Sequence, residues 1–143
     1  TRRRLYLDPH THQQEPLMAH GCILMAEDDP MIQKILARMI KRSGFEGEVK
    51  VCDNATEALD FARSVGGALD LILMDTNLHS EGDAAFFRDM RAVAPTAPIV
   101  ASSGHSEHDL RGPAHFGGCE LFSVLSKPFG LQDVKDLIAS LNL

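Results

Sequence analysis

A chain of 143 residues, 44% hydrophobic and 24% charged, has the make-up of one ordinary globular domain that buries about two-thirds of its unfolded surface. Its formal charge of −6 argues against a nucleic-acid-binding face, and no basic helix or stripe offsets it. No apolar run approaches the ~18 residues needed to cross a bilayer, and no signal-peptide core occurs, so no direct membrane contact is expected.

Residues 1–20 differ in character from the rest of the chain. Thr1-Arg2-Arg3-Arg4 is basic, Leu5-Tyr6-Leu7 is a short strand-like run, and Asp8 to His20 is polar with two prolines and three histidines. This stretch reads as an extension or linker. His10 and His12 have the H-x-H spacing of a metal pair, but no further ligand is near them and they read as solvated linker residues.

From Gly21 onward, apolar runs alternate with helical stripes. Cys22 to Ala26 predicts a buried strand closed by Glu27-Asp28-Asp29. Pro30 opens a helix where its missing N–H costs nothing, and Lys41-Arg42-Ser43-Gly44 ends it. Ile32, Ile35, Leu36, Met39 and Ile40 form its apolar stripe. Val49 to Cys52 is a second strand, and Asn54 caps a helix over 55–64 whose apolar face is Ala55, Ala58, Leu59 and Ala62. The third strand, Leu69 to Asp75, is almost continuously apolar and lies between Gly66-Gly67 and a polar loop. Such a run is covered on both faces, as in a parallel sheet.

The next helix runs from about Asp83 to Val93, with Ala84, Phe87 and Met90 on neighbouring turns and Pro95 as its stop. Pro98 to Ser102 is the fourth strand, ending at Ser103-Gly104. His105 to Leu110 has room only for a short helix before Gly112-Pro113. Leu121 to Leu125 is the fifth strand, ending at Ser126-Lys127-Pro128, and the last helix runs from Leu131 to Leu141. Strands alternating with helices over short loops predict an α/β fold, a doubly wound (βα)5 domain over 21–143 with a five-stranded parallel sheet. Cys22, Cys52 and Cys119 are odd in number and lack metal-type spacing, so they read as reduced residues of a cytosolic protein.

Right-handed crossovers bring the carboxyl ends of all the strands to one edge, where ligands bind in open α/β sheets. Collected there are Glu27, Asp28, Asp75, Ser103 and Lys127. Asp75 taken alone reads more readily as a cap of the following loop. Three carboxylates in one crevice, however, repel one another and require a counter-charge, for which Mg²⁺ is the suitable hard cation. A divalent cation, an ammonium and a hydroxyl around one carboxylate are the parts needed to transfer a phosphoryl group onto an aspartate. No G-x-x-x-x-G-K-[ST] loop occurs, so a nucleotide is not the expected donor.

Four segments, in order, resemble the receiver domain of two-component response regulators: Ile23 to Pro30 with its acidic pair, Leu71 to Asp75, Pro98 to His105, and Lys127-Pro128-Phe129. The resemblance runs from about Gly21 to Leu141 and implies a flavodoxin-like fold and a role in phosphorelay signalling. By that resemblance Asp75 accepts a phosphoryl group from a phosphohistidine on a histidine kinase or histidine phosphotransfer protein. Mg²⁺ would be held by Asp28 and Asp75, by Glu27 through water, and by the backbone carbonyl of Asn77. Ser103 and the Gly104 N–H would bond phosphoryl oxygens, and Lys127 would pair with another. The surface built by the fourth and fifth strands and their helices would switch partners, with a phosphorylation-dependent dimer left open. The mark would be self-limited by hydrolysis, in a cytoplasmic module that is not a stand-alone enzyme. Asp29 is the bystander of the acidic trio, a charge favouring the helix N-terminus.

The chain also departs from the family pattern. An aromatic is common three residues before the lysine, where this sequence has Val124; Phe122 shares that face by the period of two and is left open as its substitute, with core packing the expected job. His79 stands where proline is usual and the next glycine, Gly82, comes one residue early, so that loop is altered and His79 reads as a solvated histidine or a neighbour of the phosphoryl site. The alternative reading is a Mg²⁺-dependent phosphohydrolase of the haloacid-dehalogenase-like type with Asp75 as nucleophile. That family has a second aspartate, as general acid, where this chain has Asn77. Thr1 to Leu7 resembles the closing strand of a histidine-kinase ATP-binding domain, which makes the C-terminal receiver of a hybrid sensor kinase the slightly favoured context over a single-domain regulator.

Overall fold

The computed structural model describes residues 21–76, 83–103 and 118–142. Within them the chain runs β1 (Cys22–Ala26), α1 (Pro30–Arg42), β2 (Glu48–Cys52), α2 (Ala55–Ser64), β3 (Leu71–Asp75), α3 (Asp83–Val93), β4 (Ile99–Ser103), β5 (Ser123–Ser126) and α4 (Leu131–Ser140). The short helix expected at 105–110, the linker with His10 and His12, and the residues Asn77, His79, Gly82 and Gly104 lie outside the described residues. The five strands form one sheet in the order β2-β1-β3-β4-β5, every neighbouring pair parallel. This is the flavodoxin-like, doubly wound arrangement that the alternating pattern predicts.

The apolar run of β3 explains why the sheet is covered twice. Ile72 and Met74 face a core with Ala58, Ala62, Phe86, Phe87 and Met90 from α2 and α3. Leu71 and Leu73 face the other way, towards Leu36 and Ile40 of α1 and Val134, Leu137 and Ile138 of α4. Every residue from Leu71 to Asp75 is buried, which an amphipathic strand with one wet face would not allow.

Helix ends obey local chemistry. Asp29 has extended backbone and its carboxylate accepts from the N–H groups of Met31 (2.9 Å) and Ile32 (3.4 Å), with Pro30 as the first helical residue. Asn54 does the same for α2 through the Glu57 N–H at 2.8 Å. Gly67, at φ +73°, sits where a Cβ would run into the Val93 carbonyl, so the α2–β3 turn tolerates no side chain where α3 ends against it. At that same edge of the sheet the Arg91 guanidinium donates to the carbonyls of Ala94 (3.0 Å), Pro95 (3.2 Å), Ala97 (2.7 Å) and Glu120 (3.3 Å), tying the end of α3 to the starts of β4 and β5.

Two expectations change. β5 begins at Ser123 rather than Leu121, because the β4 ladder pairs Val100 with Ser123 first. Phe122 therefore precedes the strand; its N–H reaches the Ile99 carbonyl at 2.7 Å, but the residue is 47% exposed. It is not the core residue expected, because it stands before the paired strand and is exposed. Val124 does pack into the α2/α3 side of the core.

Candidate functional site

The register of the sheet sets the site. Asp75, last in β3, pairs with Ser102, and the backbone N–H of Thr76 reaches the Ser102 carbonyl at 3.1 Å. Ser103 pairs with Ser126 across to β5, and the next N–H, that of Lys127, bonds the Ser103 carbonyl at 2.7 Å. On the other side the Glu27 N–H bonds the Cys52 carbonyl at 3.1 Å, carrying β1 one residue past its end. Three strand ends thus converge on Asp75. The Lys127–Pro128 peptide beyond β5 is cis.

Lys127 closes the group. Its ammonium donates to Asp75 Oδ1 at 3.1 Å and to Glu27 Oε1 at 3.2 Å, and both carboxylates are buried. Asp28 is exposed, and one carboxylate oxygen from each of Glu27, Asp28 and Asp75 lies within 4.8 Å of the others. Burial pushes the Glu27 carboxyl above its ordinary 4.5, and the neighbouring Asp75 charge adds to the rise; the Asp29 N–H and Lys127 only partly offset it. For Lys127 burial works against the ammonium, yet the hydrogen bonds and charges of Asp75 and Glu27 prevail and hold it above its ordinary 10.5. The ammonium is secure, while one of its two carboxylate partners is under pressure to take up a proton.

Three carboxylates against one ammonium leave the cluster formally at −2. The donors are hard oxygens, two of them buried, as a divalent cation such as Mg²⁺ requires. A second observation concerns the same place. Among the described residues, the buried side-chain oxygens with no hydrogen-bond partner are Thr76 Oγ1 and Ser102 Oγ. One comes directly after Asp75 in sequence and the other faces it in register. Unsatisfied buried hydroxyls are rare, and these two belong to the residues next to Asp75 along the chain and across the ladder. An orphan of this kind costs about 1 kcal/mol or more, so Ser102→Ala is expected to leave thermal stability unchanged or raise it by about that amount. Scanning calorimetry checks this, and a clear fall in Tm would show that the hydroxyl is satisfied in solution.

Of the residues singled out in the sequence, Glu27, Asp28, Asp75 and Lys127 come together at this edge, with Ser103, fully buried, beside Lys127 through the backbone. Asn77 and Gly104 lie outside the described residues. Asp29 is turned into the cap of α1. Lys127 bridges two carboxylates, those of Glu27 and Asp75. The sequence reading missed Thr76 and Ser102, although a serine inside an apolar strand was a visible signal. It also missed Gln33, whose amide nitrogen donates to the Glu27 carbonyl (2.5 Å) and to Asp53 Oδ1 (2.7 Å); one polar residue in the first turns of a helix gave no signal.

Known proteins share this arrangement of the chain. The two-component response regulator ARR11 of Arabidopsis thaliana is 28% identical over 115 residues, covering 79% of this chain and 21% of that protein. Sensor kinase CckA of Brucella abortus is 24% identical over 122 residues, 82% of this chain and 12% of its own. The chain therefore spans about a fifth or less of the length of these curated relatives. Among solved structures, the receiver domain of sensor histidine kinase PA1611 from Pseudomonas aeruginosa superposes with a TM-score of 0.70 at 23% identity. The alignment covers 87% of this chain and all of that one, and the PA1611 structure holds a magnesium ion in its active-site cleft. A profile of the response regulator receiver domain matches residues 23–139, from the first strand through the last helix, and on that match the chain belongs to the response regulator receiver domains of two-component signalling.

Proposed function

We propose that this domain carries a phosphoryl group on Asp75, received from a phosphohistidine of a histidine kinase or histidine phosphotransfer protein. The observation that carries the reading is the placement of Asp75: a buried carboxylate at a strand end, bonded to Lys127 Nζ at 3.1 Å, with two further carboxylates within 4.8 Å. In the transfer an Asp75 carboxylate oxygen attacks phosphorus, the N–P bond breaks, its electron pair stays on the imidazole, and that ring takes a proton. Catalysis here is positioning and charge neutralisation.

Glu27, Asp28 and Asp75, with the Asn77 carbonyl, are the residues that would hold Mg²⁺. A magnesium ion held there supplies positive charge to the phosphoryl oxygens. Lys127 exchanges its bond to Asp75 for one to a phosphoryl oxygen, and Ser103 and the Gly104 N–H bond others. Ser103 and Lys127 are joined by a backbone hydrogen bond, so movement at either strains the β4–β5 pair and alters the surface those strands share with their helices. Residues 21–143 are the receiver module and 1–20 its extension, in a cytoplasmic signalling protein; direct contact with nucleic acid or membrane is no part of its work. Among the described residues no helix is long and apolar enough to cross a membrane.

The test uses the whole chain with Mg²⁺ and acetyl phosphate, with mass spectrometry as the readout. One base-labile, acid-stable phosphoryl group is expected, mapped to Asp75 and lost when the cation is chelated. Asp28→Asn should suppress labelling, whereas Asp29→Asn should leave it nearly intact. Label on another residue, or steady turnover of a generic phosphomonoester as the hydrolase alternative requires, would overturn the reading.

A further inference from the structure

Asp28 poses a positioning problem. Glu27 is fixed at both carboxylate oxygens, by Lys127 Nζ at 3.2 Å and by the Asp29 N–H at 3.1 Å, and Asp75 is fixed by Lys127. Asp28 is exposed, and among the described residues no hydrogen bond holds its carboxylate. Its aim towards Asp75 therefore depends on the orientation of its backbone.

That backbone is held from outside the acidic cluster. The carbonyl of Glu27, which belongs to the peptide leading into Asp28, accepts from Gln33 Nε2 at 2.5 Å. The same nitrogen donates its second proton to Asp53 Oδ1 at 2.7 Å, so both N–H groups of the amide are used. Asp53 is braced in turn: its N–H donates to Glu57 Oε1 at 3.1 Å, and the Glu57 N–H donates to Asn54 Oδ1 at 2.8 Å. A half-buried glutamine on α1 thus ties the Glu27–Asp28 peptide to the start of α2.

We infer that Gln33 is a positioning residue for the divalent-cation site, holding the Glu27–Asp28 peptide so that Asp28 faces Asp75. The inference rests on the proposed function, since it presupposes that Glu27, Asp28 and Asp75 take up Mg²⁺. Groups that orient ligands without touching the metal typically change its affinity by tenfold or more.

Calorimetric titration of the intact chain with Mg²⁺, paired with thermal unfolding in metal-free buffer, tests this. Gln33→Leu removes both donors and is expected to weaken Mg²⁺ binding about tenfold while Tm stays within a few degrees of the parent. Gln33→Arg restores N–H donors with reach to both acceptors and should recover affinity to within about threefold. Asp53→Ala removes only the outer anchor, and a smaller loss, about threefold, is expected of it; this variant decides the matter if Gln33→Leu does not fold. If the parent binds Mg²⁺ and is phosphorylated while Gln33→Leu binds equally well, the inference about Gln33 is wrong and the proposed function stands. If the parent binds no Mg²⁺, both fall together. Loss of affinity in Gln33→Arg as large as in Gln33→Leu would also overturn it, because donors would then not be what matters.

Discussion

The Asp75→Asn variant is expected to take up no phosphoryl group from acetyl phosphate in the presence of Mg²⁺. The amide offers no anionic oxygen, and phosphoryl transfer onto it would leave no stable acyl phosphate. Folding is not expected to suffer, for two reasons. The Asn carbonyl still accepts from Lys127, and removing one charge from three crowded carboxylates relieves repulsion. Mass spectrometry and a thermal melt on the same sample separate the two effects: unchanged Tm with no label supports Asp75 as the acceptor. Label reappearing on Asp28, whose carboxylate is within 4.8 Å, would show that the pocket rather than Asp75 directs the chemistry.

Lys127→Met is expected to be the most damaging single change to the fold. It leaves Glu27 and Asp75 buried, close together and without their shared cation. Removing one partner of a buried ion pair costs about 3–5 kcal/mol, and the lower end applies because the Lys127 side chain is 22% exposed. The pH dependence has a definite sign. Lys127 has a folded-state pKa raised above 10.5, so its contribution is fully present below that value and is lost as pH rises through the folded pKa. The parent should therefore show an alkaline loss of stability that the variant lacks. Glu27 is also raised, above 4.5, so the folded state binds its proton more tightly and stability falls as pH climbs from there through the folded pKa. Without the ammonium that rise is larger, so the variant should regain much of its deficit on acidification. Added Mg²⁺ should restore stability as well, by binding the folded state alone. Denaturant titrations across pH would check this, and a variant as stable as its parent at neutral pH would refute the account of the cluster.

Much of this was legible in the residues. The sheet could be read because β3 is apolar without alternation, a pattern only a doubly covered strand satisfies, and because Pro30, Asn54 and Gly67 punctuate the chain where backbone geometry requires them. The strand-end residues could be read because carboxylates and an ammonium are out of place at the ends of buried strands. Strand boundaries moved by one or two residues, since the pairing of Val100 with Ser123 is set by the neighbour and not by local preference. Phe122 was misplaced for a related reason: it precedes the paired strand, where period-two reasoning no longer applies. Hydrogen bonding lay beyond sequence reasoning altogether. That Lys127 bridges Glu27 and Asp75 depends on how far β5 runs beside β4, and that Gln33 reaches the Glu27 carbonyl depends on where α1 begins.

Arg91 gives the molecule a fixed foot. Four carbonyls gathered by one guanidinium tie α3, β4 and β5 together at the end of the sheet remote from Asp75. Under the proposed function, a displacement of Ser103 or Lys127 would pivot about that pinned end, greatest at the acidic rim.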